Sequence, residues 1–229
     1  MAQRPKTRDR IVLESLALFN IQGERNVTTN HIAAHLGMSP GNLYYHFRNK
    51  QEIIAELFGQ YEGRVDGFLR LPEGREVTVE DKTFYLESLL AAMWDFRFLH
   101  RDLEHLLESD PELAARYRQF AQRCLDHAYA IYHGFVAAGI LRMNAAQVEA
   151  LALNSWIVVT SWVRFLCTTR GDTGDIDQEM LRRGIYQVLA LESGYLAPEA
   201  KPSVQALYDK LHVPLERIFP GEGRRTPDI

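Results

Sequence analysis

Three observations predict an all-α fold for this 229-residue chain. Apolar residues recur three and four apart along most of its length, with no strand-like alternation and no internal repeat. Thr28 to Lys50 has the pattern of two short helices joined by a tight turn. Leu71-Pro-Glu-Gly-Arg-Glu is a clear linker, and helical patterning resumes beyond it. The architecture expected is an N-terminal three-helix helix-turn-helix domain, residues 1–50, joined by a long helix to a larger helical domain within residues 51–229.

Residues 1–6 read as a basic arm, with Pro5 discouraging helix before it. Such an arm either contacts phosphate or minor groove or has no role. The first helix starts at Thr7, carries Ile11, Leu16 and Phe19 inward, and stops before Gly23. Thr28 caps the second by accepting one of the unpaired N–H groups of its first turn; Ile32, Ala33 and Leu36 form the inward stripe. Gly37 supplies the left-handed turn, Ser39 caps the third helix, and Pro40 fits its first position, where no N–H is needed. Leu43 and Phe47 anchor that helix. Lys50 opens a fourth helix running to about residue 71, with Gly59, Gly63 and Gly67 on one face permitting close approach of another helix. Further helices are expected over about 79–97, 99–108, 110–138, 145–169, 176–196 and 201–218. Asp110-Pro111-Glu112 signals a helix start, Gly139 an end, Asn144 a cap, and Gly171-Asp-Thr-Gly-Asp a separator.

The third helix has an informative outer face: Ser39, Gly41, Asn42, Tyr44, Tyr45 and His46, followed by Arg48 and Lys50. Small residues let a backbone approach, amide and phenol groups donate to base edges or phosphates, and cations neutralise phosphate, a combination suited to a DNA groove. An ordinary solvated hairpin would carry more Glu and Lys there. The net charge of −4 argues the other way, but its distribution does not. Residues 1–50 hold seven cations against three acids, which leaves 19 of the 26 cations and 27 of the 30 acids for the remainder. A basic head on an acidic body presents one end to DNA.

Phe19, Gly23, Thr28-Thr29, Ile32-Ala33, Gly37, Ser39, Gly41, Leu43-Tyr44, His46-Phe47 and Lys50 together resemble the signature of TetR-family transcriptional regulators, over about residues 7 to 57. The chain departs from it at Glu24, where the family usually has an aromatic residue, so the resemblance leaves the packing of the 24–27 loop open. The resemblance implies a DNA-binding head and a ligand-binding and dimerisation body, working as a homodimeric repressor released by a small-molecule effector. It places helix 40–46 in the major groove of operator DNA. Asn42, Tyr44 and the Gly41 backbone would then meet base edges, with Thr29, Ser39, Tyr45, His46 and Lys50 on phosphates. That helix has no Arg or Gln for bidentate base contacts, so DNA shape should carry much of the specificity. The fourth helix would act as the lever between body and head.

In the body, helix 145–169 is apolar on two sides, one for its own domain and one for a second copy. Leu181, Ile185, Val188, Leu189 and Glu192 are expected to add a seam from helix 176–196 to a four-helix dimer interface. Trp94, Phe98, Tyr117, Phe120, Tyr129, Tyr132, Phe135 and Trp156 are either plain core or the lining of an apolar cavity, with His127, Asn154 and Arg164 as polar anchors for an apolar or aromatic effector. His100, Asp102, His105, Cys124 and His127 leave open a metal-responsive regulator, although neither HExxH nor CxxC occurs. An effector-independent architectural protein is a further alternative. Enzyme motifs are absent: no P-loop, no GxSxG, no GxGxxG after a strand; no cofactor is expected. Two cysteines without a pairing pattern, and no apolar run after the basic start, point to the cytoplasm. Asn154, Ser155, Thr160, Ser161 and Arg164 interrupt the longest apolar stretch and argue against a membrane span.

Overall fold

The computed structural model describes residues 6–170 and 176–219. The arm residues 1–5 and the separator 171–175 lie outside these. The described residues are helical with no strand; Leu141 and Leu196 form an isolated antiparallel bridge. The chain divides into two compact units, residues 6–70 with 91–128, and residues 71–90 with 129–219.

The first unit contains α1 (Thr7–Gln22), α2 (Thr29–His35), α3 (Pro40–His46) and α4 (Lys50–Phe68). It also holds the end of α5 (Val79–Asp95), all of α6 (Arg97–Ser109) and the start of α7 (Pro111–Ala137). Ile11, Val12, Leu18 and Phe19 of α1 pack inward with Val27, Ile32, Leu43, Phe47, Ile53 and Leu57. The inward stripe of α1 thus runs through Leu18 rather than Leu16, which is half-buried. Gly23 ends α1 at φ +86° and Gly37 turns between α2 and α3 at φ +65°, conformations that cost glycine little. The glycine row on α4 does not receive a helix. A Cβ at Gly59 would lie 2.9 Å from Arg116 Nη2, a side-chain neighbour, while Gly63 and Gly67 face open space.

The second unit is built on α8 (Ala145–Thr169) and α9 (Gln178–Leu191), with α10 (Lys201–Leu211) against α9 and the short α11 (Leu215–Ile218) after it. The Trp162 ring of α8 packs directly on Gly184 of α9, where an added Cβ would sit 2.4 Å from it, and the indole N–H donates to the Met180 carbonyl at 2.8 Å. By length and composition α8 could cross a membrane, yet Val148, Leu151, Val159, Val163 and Leu166 are packed as in the core helix of a folded unit. Two expected helices are shorter than the sequence implied. The 176–196 segment is α9 followed by a 3₁₀ turn at Ser193–Tyr195, and the 201–218 segment breaks at 212–214, where Pro214 cannot continue the α10 ladder.

A candidate nucleic-acid interface

Local capping builds the α2–turn–α3 motif. Thr28 Oγ1 accepts the His31 N–H at 3.2 Å while His31 Nδ1 accepts the Thr28 N–H at 3.4 Å, a reciprocal box that closes both donors. Ser39 Oγ accepts the Asn42 N–H at 3.2 Å, and Asn49 Oδ1 caps α4 through the Glu52 N–H at 2.9 Å. With Leu43 and Phe47 buried, helical geometry turns Gly41, Asn42, Tyr44 and Tyr45 outward.

The outward side chains are not equivalent. Tyr45 is 84% exposed and its ring meets His46 edge to face at 5.1 Å. Tyr44 is 46% exposed, and its hydroxyl lies 3.0 Å from Thr29 Oγ1, which joins α3 to α2 and fixes the phenol's direction. Ser39 is exposed but commits its oxygen to the cap. Arg8 does not face out freely: its guanidinium stacks 4.7 Å over the Phe47 ring and pairs with Glu56 at 2.7 Å. That hydrogen bond holds the Glu56 carboxyl below its ordinary range.

Lys50, expected from the sequence on a phosphate, has its ammonium on the protein itself. It donates to the Glu24 and Val27 carbonyls, each at 3.0 Å, and meets Glu24 Oε1 at 2.6 Å. This is how the 24–27 loop accommodates an acid in place of a ring. The loop forms a 3₁₀ turn with Glu24 buried, its N–H donating to Asp102 Oδ2 at 3.1 Å. Arg101 of α6 donates to the Phe19 carbonyl at 2.5 Å, and the Phe98 N–H donates to Asn20 Oδ1 at 3.1 Å. Loop partners this distant in sequence leave no local signal.

A polar cleft of about 870 Å³ opens in the same unit, lined among others by His46, Asn49, Glu52, Asp110 and Leu113. Its cations Arg8 and Arg116 are paired with Glu56 and Glu62.

The residues read as a possible effector lining are divided between the units. Trp94, Phe98, Phe120 and His127 belong to the first; Asn154, Trp156 and Arg164 to the second. Phe98 stacks on Phe19 at 5.3 Å, and Phe120 packs on Phe58 and Tyr61, so both fill core. Asn154 and Arg164 lie on the exposed side of α8 beside Leu153, Ile157 and Phe165. The seam expected on α9 requires correction. Leu181, Ile185, Val188, Leu189 and Glu192 are all buried within the unit, because that stripe packs on its own neighbours and is unavailable to a second copy. Among the described residues no three His, Cys, Asp or Glu side chains converge as a metal site would require. The Cys124 thiol is pushed up to about 12 by burial, which makes it a poor ligand and nucleophile.

Comparison with known proteins agrees with this geometry. The family model described as bacterial regulatory proteins, tetR family, matches residues 11–57, and the one described as bacterial transcriptional repressor matches residues 60–204. The chain is 51% identical to a TetR-family transcriptional regulator from Marinobacter aquaeolei VT8. That match has a TM-score of 0.83 and covers 91% of this chain and 100% of that one. A transcriptional regulator from Saccharomonospora viridis in complex with choline matches at 17% identity and a TM-score of 0.63, over 83% of this chain and 97% of that one. A ketosteroid transcriptional regulator of Mycobacterium tuberculosis matches at 17% identity and 0.59, over 85% and 97%. The last two share the fold with this chain.

Proposed function

The chain belongs to the TetR family of bacterial transcriptional regulators, and on that premise we propose that it is a cytoplasmic homodimeric repressor that places α3 in the major groove of operator DNA. One observation carries the proposal: α3 and the residue that ends it bury Leu43 and Phe47 and turn Gly41, Asn42, Tyr44 and Tyr45 to solvent in a motif locked by three side-chain caps. We assign base-edge contacts to Asn42, Tyr44 and the Gly41 backbone, and phosphate contacts to Thr29, Ser39, Tyr45 and His46. Functionally, residues 1–50 read DNA and residues 51–229 regulate. Pairing through the exposed α8 side of Leu153, Ile157 and Phe165 would give the two-fold symmetry that two half-sites require. The proposed effector is an apolar or aromatic small molecule whose binding in the body disfavours the DNA-bound form.

The test is a duplex selected by the purified protein from a random-sequence pool. The selected sites should be palindromic, and light scattering should give twice the chain mass. Asn42→Ala and Tyr44→Ala should each weaken binding by about 1–3 kcal/mol, with Asn42→Ala also relaxing preference at one base position. A pool that yields no enriched sequence, or variants that bind as the parent does, would reject the assignment.

A further inference from the structure

Lys50 opens α4 immediately after the α3 motif, where a free ammonium would face the DNA backbone. An ammonium has three N–H donors, and here two go to the Glu24 and Val27 carbonyls while the charge pairs with Glu24 Oε1 at 2.6 Å. The Glu24 side chain is only 4% exposed, and its other oxygen, Oε2, makes no hydrogen bond and lies 3.8 Å from His105 Nε2. Moving Lys50 to a phosphate would strip a buried carboxylate of its close cation and two backbone carbonyls of their donor, losses that one solvent-screened phosphate contact does not offset. Residues 24–27 directly precede α2, and Lys50 directly follows the α3 turn, so the contact holds both ends of the DNA-reading motif together.

We propose that Lys50 is a positioning residue: with Glu24 it forms an internal clip that closes the ends of the α2–α3 motif on each other and sets how α3 lies on DNA. The proposal rests on the DNA-binding reading above. It also explains the acid at position 24, since the clip replaces a packed ring by an ion pair that needs Lys50 inside.

The experiment compares Lys50→Met, Glu24→Gln, the double variant Glu24→Leu with Lys50→Met, and the parent on the selected duplex over a range of salt. Each phosphate neutralised contributes about 0.9 to the slope of log affinity against log salt. The clip predicts that Lys50→Met weakens binding about tenfold at every salt concentration while keeping the parental slope. Glu24→Gln should weaken binding too, and the apolar pair, which relieves the buried carboxylate but leaves both carbonyls without that donor, should bind more tightly than Lys50→Met. A slope reduced by about 0.9 per head in Lys50→Met, with Glu24→Gln binding as well as the parent or better, would overturn the clip. So would an apolar pair as weak as Lys50→Met. Urea unfolding of the same four proteins needs no DNA. There each single variant should lose stability and the apolar pair should be more stable than Lys50→Met; an apolar pair no more stable than Lys50→Met would also overturn the clip. A parent that binds no duplex at any salt would instead sink the repressor reading, leaving the unfolding arm to decide the clip.

Discussion

In the first unit the Tyr61 hydroxyl meets His100 Nε2 at 3.1 Å, enclosed by Phe96 and Phe120; in the second, Lys82 Nζ meets both oxygens of Glu192 at 2.7 and 2.8 Å, over the face of Phe135. All four residues are nearly solvent-free. The first pair is uncharged, and burial keeps it so, pushing His100 down to about 4 and Tyr61 upward. The second is an ion pair joining α5 to the C-terminal end of α9, and it tolerates burial through bidentate geometry and the ring face. The two plans fail differently. A neutral pair is lost when a proton is forced onto it, whereas a charged pair is lost when one partner is removed.

Removing one charge gives the largest effect. Lys82→Met should destabilise the second unit by about 3–5 kcal/mol, because Glu192 would be left buried without its cation. Adding Glu192→Leu should recover most of that, since a packed apolar pair of similar volume is often no worse than a buried ion pair. Urea unfolding measures both, and amide exchange should show faster opening in α8 and α9 while α1 and α3 keep their protection. A single variant costing less than about 1 kcal/mol would mean that the pair is not desolvated as described, and the contrast would fail.

Acid is the second way to separate the pairs. His100 has a folded-state value near 4 against an ordinary 6.5, so the unfolded chain takes up the proton first. Its contribution is complete above about pH 6.5 and is lost as pH falls toward about 4, a loss on the order of 3 kcal/mol in all. His100→Gln cannot be protonated and should flatten the dependence of stability on pH across that window. The same slope in parent and variant would show that His100 is not the acid-sensitive group.

The contrast also marks what could be read from sequence. Thr28, Gly37, Ser39 and Pro40 act within a few residues of themselves, so their types and spacing specified α2, the turn and α3. The outward set of α3 followed once Leu43 and Phe47 were taken as inward. What could not be read depends on partners remote along the chain. Nothing near Lys50 announces Glu24, 26 residues away, and nothing near Lys82 announces Glu192, 110 residues away. The α9 stripe shows the same gap: periodicity identified Leu181, Ile185 and Leu189 as buried but not the surface that buries them, which is the unit's own α8 and α10. The glycine row on α4 misled for a related reason. Small residues permit a close approach, and among the described residues only Gly184, set against Trp162, shows one by a helix-borne ring.

The smallest effect provides a control on the acid window. Asp81 caps α5, accepting the Thr78 N–H at 2.8 Å and pairing with Arg75 at 2.6 Å; chiefly through the Arg75 hydrogen bond, its carboxyl is held down at about 2. A depressed carboxyl contributes stability that is complete above its ordinary value near 3.8 and is lost as pH falls through about 2. Asp81→Asn should therefore cost about 1 kcal/mol at neutral pH, and that cost should stay constant between about pH 7 and pH 5, because there Asp81 is ionised in the folded and the unfolded chain alike. His100 titrates in the interval where Asp81 does not, so the stability difference between parent and Asp81→Asn should run flat while that between parent and His100→Gln falls. If the Asp81→Asn difference also fell between about pH 7 and pH 5, Asp81 would share the titration in that interval, since a weakening common to parent and variant cancels from their difference. The buried imidazole would then lose its claim to set where the first unit begins to yield.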